Sequence, residues 1–301
     1  MLWILLSLVS AVFLGFYEIA KKVSVRDNAV PPVLLFNVLT SAVLWAPVVL
    51  VSRCCGSEFV GDLFYVERLD WSDHLLLFAK SVIAGSSWIL ASYALKHLPM
   101  SIAAPIRASS PLWTVLIAVT FMGERPALMQ WCGVTIILVS FLIFSAVGQL
   151  EGIRFHRDRW IGFMVTATLL GAISALYDKF LLQRMEMKAS TVQAWFSIYL
   201  VLVMLPLYIR WRILDQVTSP FQWRWSIPMI ALLLLVSDFT YFSAIGQPGA
   251  LISVISPLRR TSVVIAFIAG IRMYAEKNWR LKAICLMGLL VGVYVITWSS
   301  K

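Results

Sequence analysis

Ten times along its 301 residues the chain runs for roughly 18–22 residues with few or no charges, at 2–20, 33–51, 75–95, 102–122, 128–147, 161–182, 192–209, 227–245, 250–271 and 281–298. At about 1.5 Å of rise per residue, each run is long enough to cross a hydrocarbon core of about 30 Å. Lipid offers no hydrogen bonds to a bare backbone, so each run must close its own bonds as a helix. The alternating segments of a membrane β-barrel, about ten residues each, are absent. Only 13% of the residues are charged and the mean hydropathy is +0.86, whereas soluble domains carry about 25% charge. A soluble enzyme, a disordered regulator and a small secreted scaffold are excluded. The expected fold is an all-α membrane protein of ten transmembrane helices. The first run has no basic residue before it and is too long for a signal peptide, so it is expected to stay as a helix.

The net charge is +10, from 25 Lys and Arg against 15 Asp and Glu. Most of the basic residues flank apolar runs, where they anchor helix ends in the interface. No Lys/Arg block or aromatic-basic module is present, so no nucleic-acid partner is expected. Cys54, Cys55, Cys132 and Cys285 follow no metal-ligand spacing, and no metal or cofactor is expected. His74, His97 and His156 form no His-Glu-x-x-His pattern, and Gly-rich phosphate loops and Gly-x-Ser-x-Gly elbows are missing. Nothing points to an enzyme.

The polar stretch 149–160 divides the runs into five and five, and the two fives resemble each other. At an offset of 160, Tyr17-Glu18 falls on Tyr177-Asp178 and Phe36 on Phe196. At an offset of 152, Ala104-Pro105-Ile106-Arg107 falls on Ser256-Pro257-Leu258-Arg259, Ser110 on Ser262 and Glu124 on Glu276. The expected organisation is one repeat at 1–148, a connector at 149–160 and a second repeat at 161–301. An odd helix number per repeat makes the second enter the membrane from the opposite side. Such inverted repeats belong to alternating-access transporters, with the substrate site near the midplane where the repeats meet.

These features resemble the drug/metabolite transporter superfamily, in its ten-helix EamA-type branch. The resemblance covers essentially the whole chain. Each repeat has a Pro-containing fourth helix, and the first then passes through Phe121-Met122-Gly123-Glu124-Arg125 into a fifth helix carrying the small residues Gly133 and Ser140. The second repeat reads Met273-Tyr274-Ala275-Glu276-Lys277, keeping the Glu and losing the Gly. The resemblance implies a transporter of amino acids, other metabolites or drugs in a bacterial inner membrane. It also places Trp88, Tyr93 and Tyr241 near a central cavity, although each could equally anchor a helix in the lipid interface.

The residues themselves point to a site at the matched Pro-x-Arg segments. Pro105 and Pro257 each remove one intrahelical bond, from the carbonyls of Ser101 and Ser253, and are expected to break their helices. Arg107, Arg259 and Arg260 lie several residues inside apolar runs, where a charge costs on the order of 3 kcal/mol on insertion scales. They are expected to face a cavity with Ser110 and Ser262 and to bind substrate, the alternative being that they snorkel to the interface. Asp238, midway along an apolar run, should pair with Arg259 or Arg260 or carry a coupling proton. Lys80 is its candidate counterpart in the first half. Small four-helix relatives bind drug or proton on a Glu in their first helix. By that resemblance Glu18, with its repeat partner Asp178, is a coupling candidate, although Glu18 lies near the end of its run.

The expected function is secondary-active transport, in the direction of export, of a small polar or anionic metabolite such as an amino acid. Proton coupling is one option. A flippase for a lipid-linked substrate, a non-transporting scaffold and an intramembrane enzyme are the alternatives. The distribution of Lys and Arg around the runs places both termini outside, whereas the resemblance places them in the cytoplasm, and we follow the resemblance. A reporter active only in the cytoplasm, fused to Lys301, separates the two.

Overall fold

Helices form where the apolar runs require them. The computed structural model describes residues 2–98, 106–107, 109–149, 159–262, 264–265 and 279–298. Its helices are α1 (Leu2–Val25), α2 (Val30–Cys55), α3 (Trp71–His97), α4 (Ser110–Phe121), α5 (Leu128–Gln149), α6 (Arg159–Lys179), α7 (Ala189–Arg210), α8 (Ser226–Ile245), α9 (Ile252–Arg260) and α10 (Trp279–Trp298), with a single turn at Ser57–Val60. No strand occurs among the described residues. Pro105, Glu276 and most of the polar connector lie outside them.

Six helices among the described residues, α1, α2, α3, α6, α7 and α8, are long and apolar enough to cross a membrane. α4 and the stretches 128–140 and 287–298 are shorter apolar helices. Large apolar side chains such as Val43, Leu50, Leu142, Leu202 and Met229 stay exposed on the outside. In water that surface would drive aggregation, whereas in lipid it is the solvated face.

The helices pair across the two halves of the chain. α1 lies antiparallel to α8, with Ser10 bonded to Ser237 and Ser24 to Ser226. α3 lies antiparallel to α6, with Ser87 bonded to the Ala167 carbonyl and His97 stacked on Trp160. α2 and α7 meet at Phe36 and Tyr208 at one end and at Trp45 and Ala194 at the other. α5 and α10 meet where Gly133 faces Ile296 and Ser140 faces Gly288.

That last crossing depends on glycine. A Cβ on Gly292 would lie 2.6 Å from Cγ1 of Ile137 and 2.9 Å from the Gly133 carbonyl oxygen. Close backbone approach at small residues is how membrane helices gain packing energy. Gly292→Leu should therefore lower stability by about 1–3 kcal/mol, read as a fall in melting temperature in detergent. An unchanged melt would show that α5 and α10 do not pack this way.

Candidate functional site

Two turns shape the middle of the protein. After Arg260 the backbone N–H groups of Thr261, Ser262, Val264 and Ile265 reach back three residues, at 3.1, 3.3, 2.9 and 3.1 Å. That is the tighter 3₁₀ step, and it ends α9. The Thr261 hydroxyl donates to the Leu258 carbonyl at 2.7 Å. In the first half, the N–H and hydroxyl of Ser109 both donate to the Ile106 carbonyl, at 3.2 and 2.7 Å, just before α4 begins. Ser109 and Ile106 precede Thr261 and Leu258 by the same 152 residues that relate the Pro-x-Arg segments. The two turns are equivalent.

This corrects the expected site of the break. Pro257 lies inside α9, and the helix stops four residues later. Losing one N–H does not end a helix whose other bonds survive. A hydroxyl that takes the carbonyl needed for the next α-helical bond can end it. Pro105 lies outside the described residues.

Between α1, α3, α4, α6, α8 and α9 is a cavity of about 200 Å³. Its walls carry five cations, Lys21, Lys80, Arg107, Arg259 and Arg260, and three carboxylates, Glu18, Asp178 and Asp238. Lys80 pairs with Asp178, and its ammonium lies 4.2 and 4.5 Å from the ring centres of Phe196 and Phe242. Arg259 pairs with Asp238, donates to Ser10 at 3.1 Å and Ser237 at 3.3 Å, and lies 4.1 Å over the Tyr241 ring. Each of these two cations is held by a carboxylate and lies against at least one aromatic ring. Arg107 and Glu18 are farther apart, at 3.7 Å, with side chains 33% and 25% exposed against 1% for Lys80.

Lys21 and Arg260 have no carboxylate within ion-pair distance among the described residues. Lys21 lies 5.6 Å from the Tyr17 ring centre. Both cations line the same cavity as the Arg107–Glu18 pair. Arg260 lies inside the apolar run 250–271, where a cation is expensive and is retained where it faces water or a ligand.

At the N-terminal end of α9 the two halves are tied together. Glu124, in the turn after α4, accepts the N–H groups of Ile252 at 2.8 Å and Ser253 at 2.9 Å, the Ser253 hydroxyl, and the Lys179 ammonium. A carboxylate from the first half thus caps the N-terminus of α9 in the second, meeting free donors and the positive end of the helix dipole. Arg260 lies at the other end of α9, about 12 Å away along the helix.

The structure brings Arg107, Ser110, Arg259, Arg260, Trp88 and Tyr241 to the cavity wall, with Glu18, Asp178 and Asp238. It does not bring Tyr93 or Ser262 there. Tyr93, one turn before the end of α3, is not among the lining residues. Ser262 is buried against α1, where a Cβ on Gly15 would lie 2.9 Å from its carbonyl oxygen. Asp238 takes Arg259 and leaves Arg260, and Lys80 takes Asp178. Lys21 and the cap made by Glu124 were not singled out by sequence. The repeated Glu124 carried a signal, but its partners lie 55 and 128–129 residues away.

The EamA-like transporter family model matches residues 1–146. The chain belongs to the drug/metabolite transporter superfamily. A solved crystal structure of a protein 15% identical to it superposes with a TM-score of 0.70, over 99% of this chain and 97% of that one. At that identity the likeness is one of fold, and it spans both halves. EamA proteins are transporters, not enzymes. The apolar helices make this superfamily member a multi-pass integral membrane protein.

Proposed function

We propose that the protein is a secondary-active transporter that moves a small anionic metabolite by alternating access. The observation that carries this reading is the charge excess on the cavity wall, where five cations meet three carboxylates. A fixed positive excess repels cationic drugs and attracts carboxylates or phosphates.

The helix pairing supports two inverted five-helix repeats as the moving parts. α2 with α7, α4 with α9 and α5 with α10 pair equivalent helices antiparallel, and the α1–α8 pair is answered by the α6–α3 pair. Rocking one repeat against the other would break the Glu124 tie and open the cavity toward that end. Glu18, the most exposed of the three paired carboxylates, is the best placed to exchange its partner for a coupling proton. Export, a bacterial inner membrane and cytoplasmic termini follow from the resemblance and are part of the proposal.

The test is counterflow of labelled carboxylates and phosphates in proteoliposomes. Wild-type protein should exchange at least one of them, and Arg260→Gln should slow that exchange about 10- to 100-fold, as expected for a lost charged contact of about 1.5–3 kcal/mol. Equal rates in the folded variant would remove Arg260 from the site. The deletion of a cation as heavily engaged as Arg259 would report on folding instead.

A further inference from the structure

Pairing off the charges on the cavity wall leaves a remainder. Glu18, Asp178 and Asp238 are each held by one cation, namely Arg107, Lys80 and Arg259. Among the described residues Lys21 and Arg260 are left over, on the same cavity wall as the Arg107–Glu18 pair. Lys21 comes from the last turns of α1 and Arg260 from the last residue of α9, and the turn just after Arg260 packs closely on α1 at Gly15, where a Cβ would lie 2.9 Å from the Ser262 carbonyl oxygen. Among the described residues the cavity wall therefore carries two more positive charges than negative ones.

Resting on the reading that this cavity holds the substrate, we propose that the substrate is a small dianion, a dicarboxylate or a phosphate monoester, whose two charges meet Lys21 and Arg260. Arg260 offers a planar fork to a pair of oxygens and Lys21 a compact point charge. A monoanion leaves one cation bare in a low-dielectric wall. A zwitterion does worse, because its ammonium finds all three carboxylates already taken and comes to rest beside an unmatched cation. The volume of about 200 Å³ lies below the roughly 300–1,000 Å³ of pockets for drug-sized ligands, which limits the dianion to a small one.

The experiment is a binding and counterflow series on the full-length protein in phosphatidylcholine proteoliposomes at a pH of about 7, where phosphate monoesters carry about 1.5–2 charges. The probes are succinate and glycerol 3-phosphate as dianions, succinamate and butyrate as monoanions, and alanine as a zwitterion. Wild-type protein should bind at least one dianion about tenfold or more tighter than succinamate. Lys21→Gln and Arg260→Gln should each abolish that preference, leaving succinamate bound as well as succinate or better, and Arg260→Lys should keep it. Tight alanine or succinamate binding by the wild type, or a Gln variant that weakens both anion classes by the same factor, would overturn the dianion assignment. Displacement of a bound dianion by phosphatidic acid added to the bilayer would move the site to a lipid headgroup and overturn it as a free-solute site. Alanine counterflow by the wild type would overturn the dianion inference while leaving transport intact. Dianion binding with no exchange of any probe would support the charge assignment and overturn transport.

Discussion

Asp178→Ala should cost the protein about 3–5 kcal/mol of stability, the largest loss expected from any single change in the cavity wall. The reason is the partner it abandons. Lys80 is 1% exposed, and the side chains around its ammonium are Asp178, Phe196 and Phe242. The two rings attract a cation, but their contribution of about 2 kcal/mol at a desolvated site does not replace a carboxylate. Removing both charges is a different matter. Lys80→Met with Asp178→Leu substitutes apolar groups of similar volume and should restore most of the lost stability, because a buried pair is often no better than well-packed hydrophobes. Thermal melts and denaturant titrations in detergent compare the three proteins. If the single and double variants melt together, the pair does not hold α3 to α6.

Glu124→Ala should have the largest effect on transport. It strips four donors at once, the N–H groups of Ile252 and Ser253, the Ser253 hydroxyl and the Lys179 ammonium. Each buried donor left without an acceptor costs about 1–3 kcal/mol, and the charged one more. α9 would lose its cap, and with it the fixed placement of Arg259 and Arg260 farther along the helix. Counterflow should fall by at least about 100-fold, since small misplacements of binding groups are magnified in rate. Glu124→Gln keeps an acceptor oxygen but not the charge, so it should retain fold and part of the transport. Full activity in Glu124→Ala would show that α9 needs no cap from the first half.

Much of this architecture is legible in the sequence because lipid removes alternatives. A run of about 20 apolar residues has to be a helix, and the recurrence of Tyr17-Glu18 as Tyr177-Asp178 and of Pro-x-Arg is what supports the proposed duplication. The repeat also pointed to the segment where α9 breaks, though the proline drew attention to the wrong residue. Thr261, an ordinary hydroxyl residue, makes the competing bond. Side-chain partners were far less legible. Arg259 and Arg260 are neighbours in sequence yet project about 100° apart on a helix. One meets Asp238 and Ser10 while the other faces the open cavity, and only the packing of α1 and α8 decides which. Lys21 stands close to Glu18 in sequence, but that alone assigns it no role. Its place with Arg107 on the cavity wall depends on how the helices pack, which no local pattern encodes. Tyr93 shares α3 with Trp88 but lies about 140° around it, counting five steps of roughly 100°. Aromatic content alone could not tell the two apart.

The central claim is that the two halves enclose a polar cavity reachable in turn from each side of the membrane. Ser110 lines that cavity and is 5% exposed. A single-cysteine protein tests the claim most directly. Cys54, Cys55, Cys132 and Cys285 would be replaced by serine, Ser110→Cys introduced, and the protein labelled in sealed vesicles of both orientations with a thiol reagent that cannot cross the bilayer. Labelling from either side, with a transported anion protecting the cysteine from both, is the predicted result. A cysteine that reacts from one side only, or from neither, would contradict alternating access through this cavity.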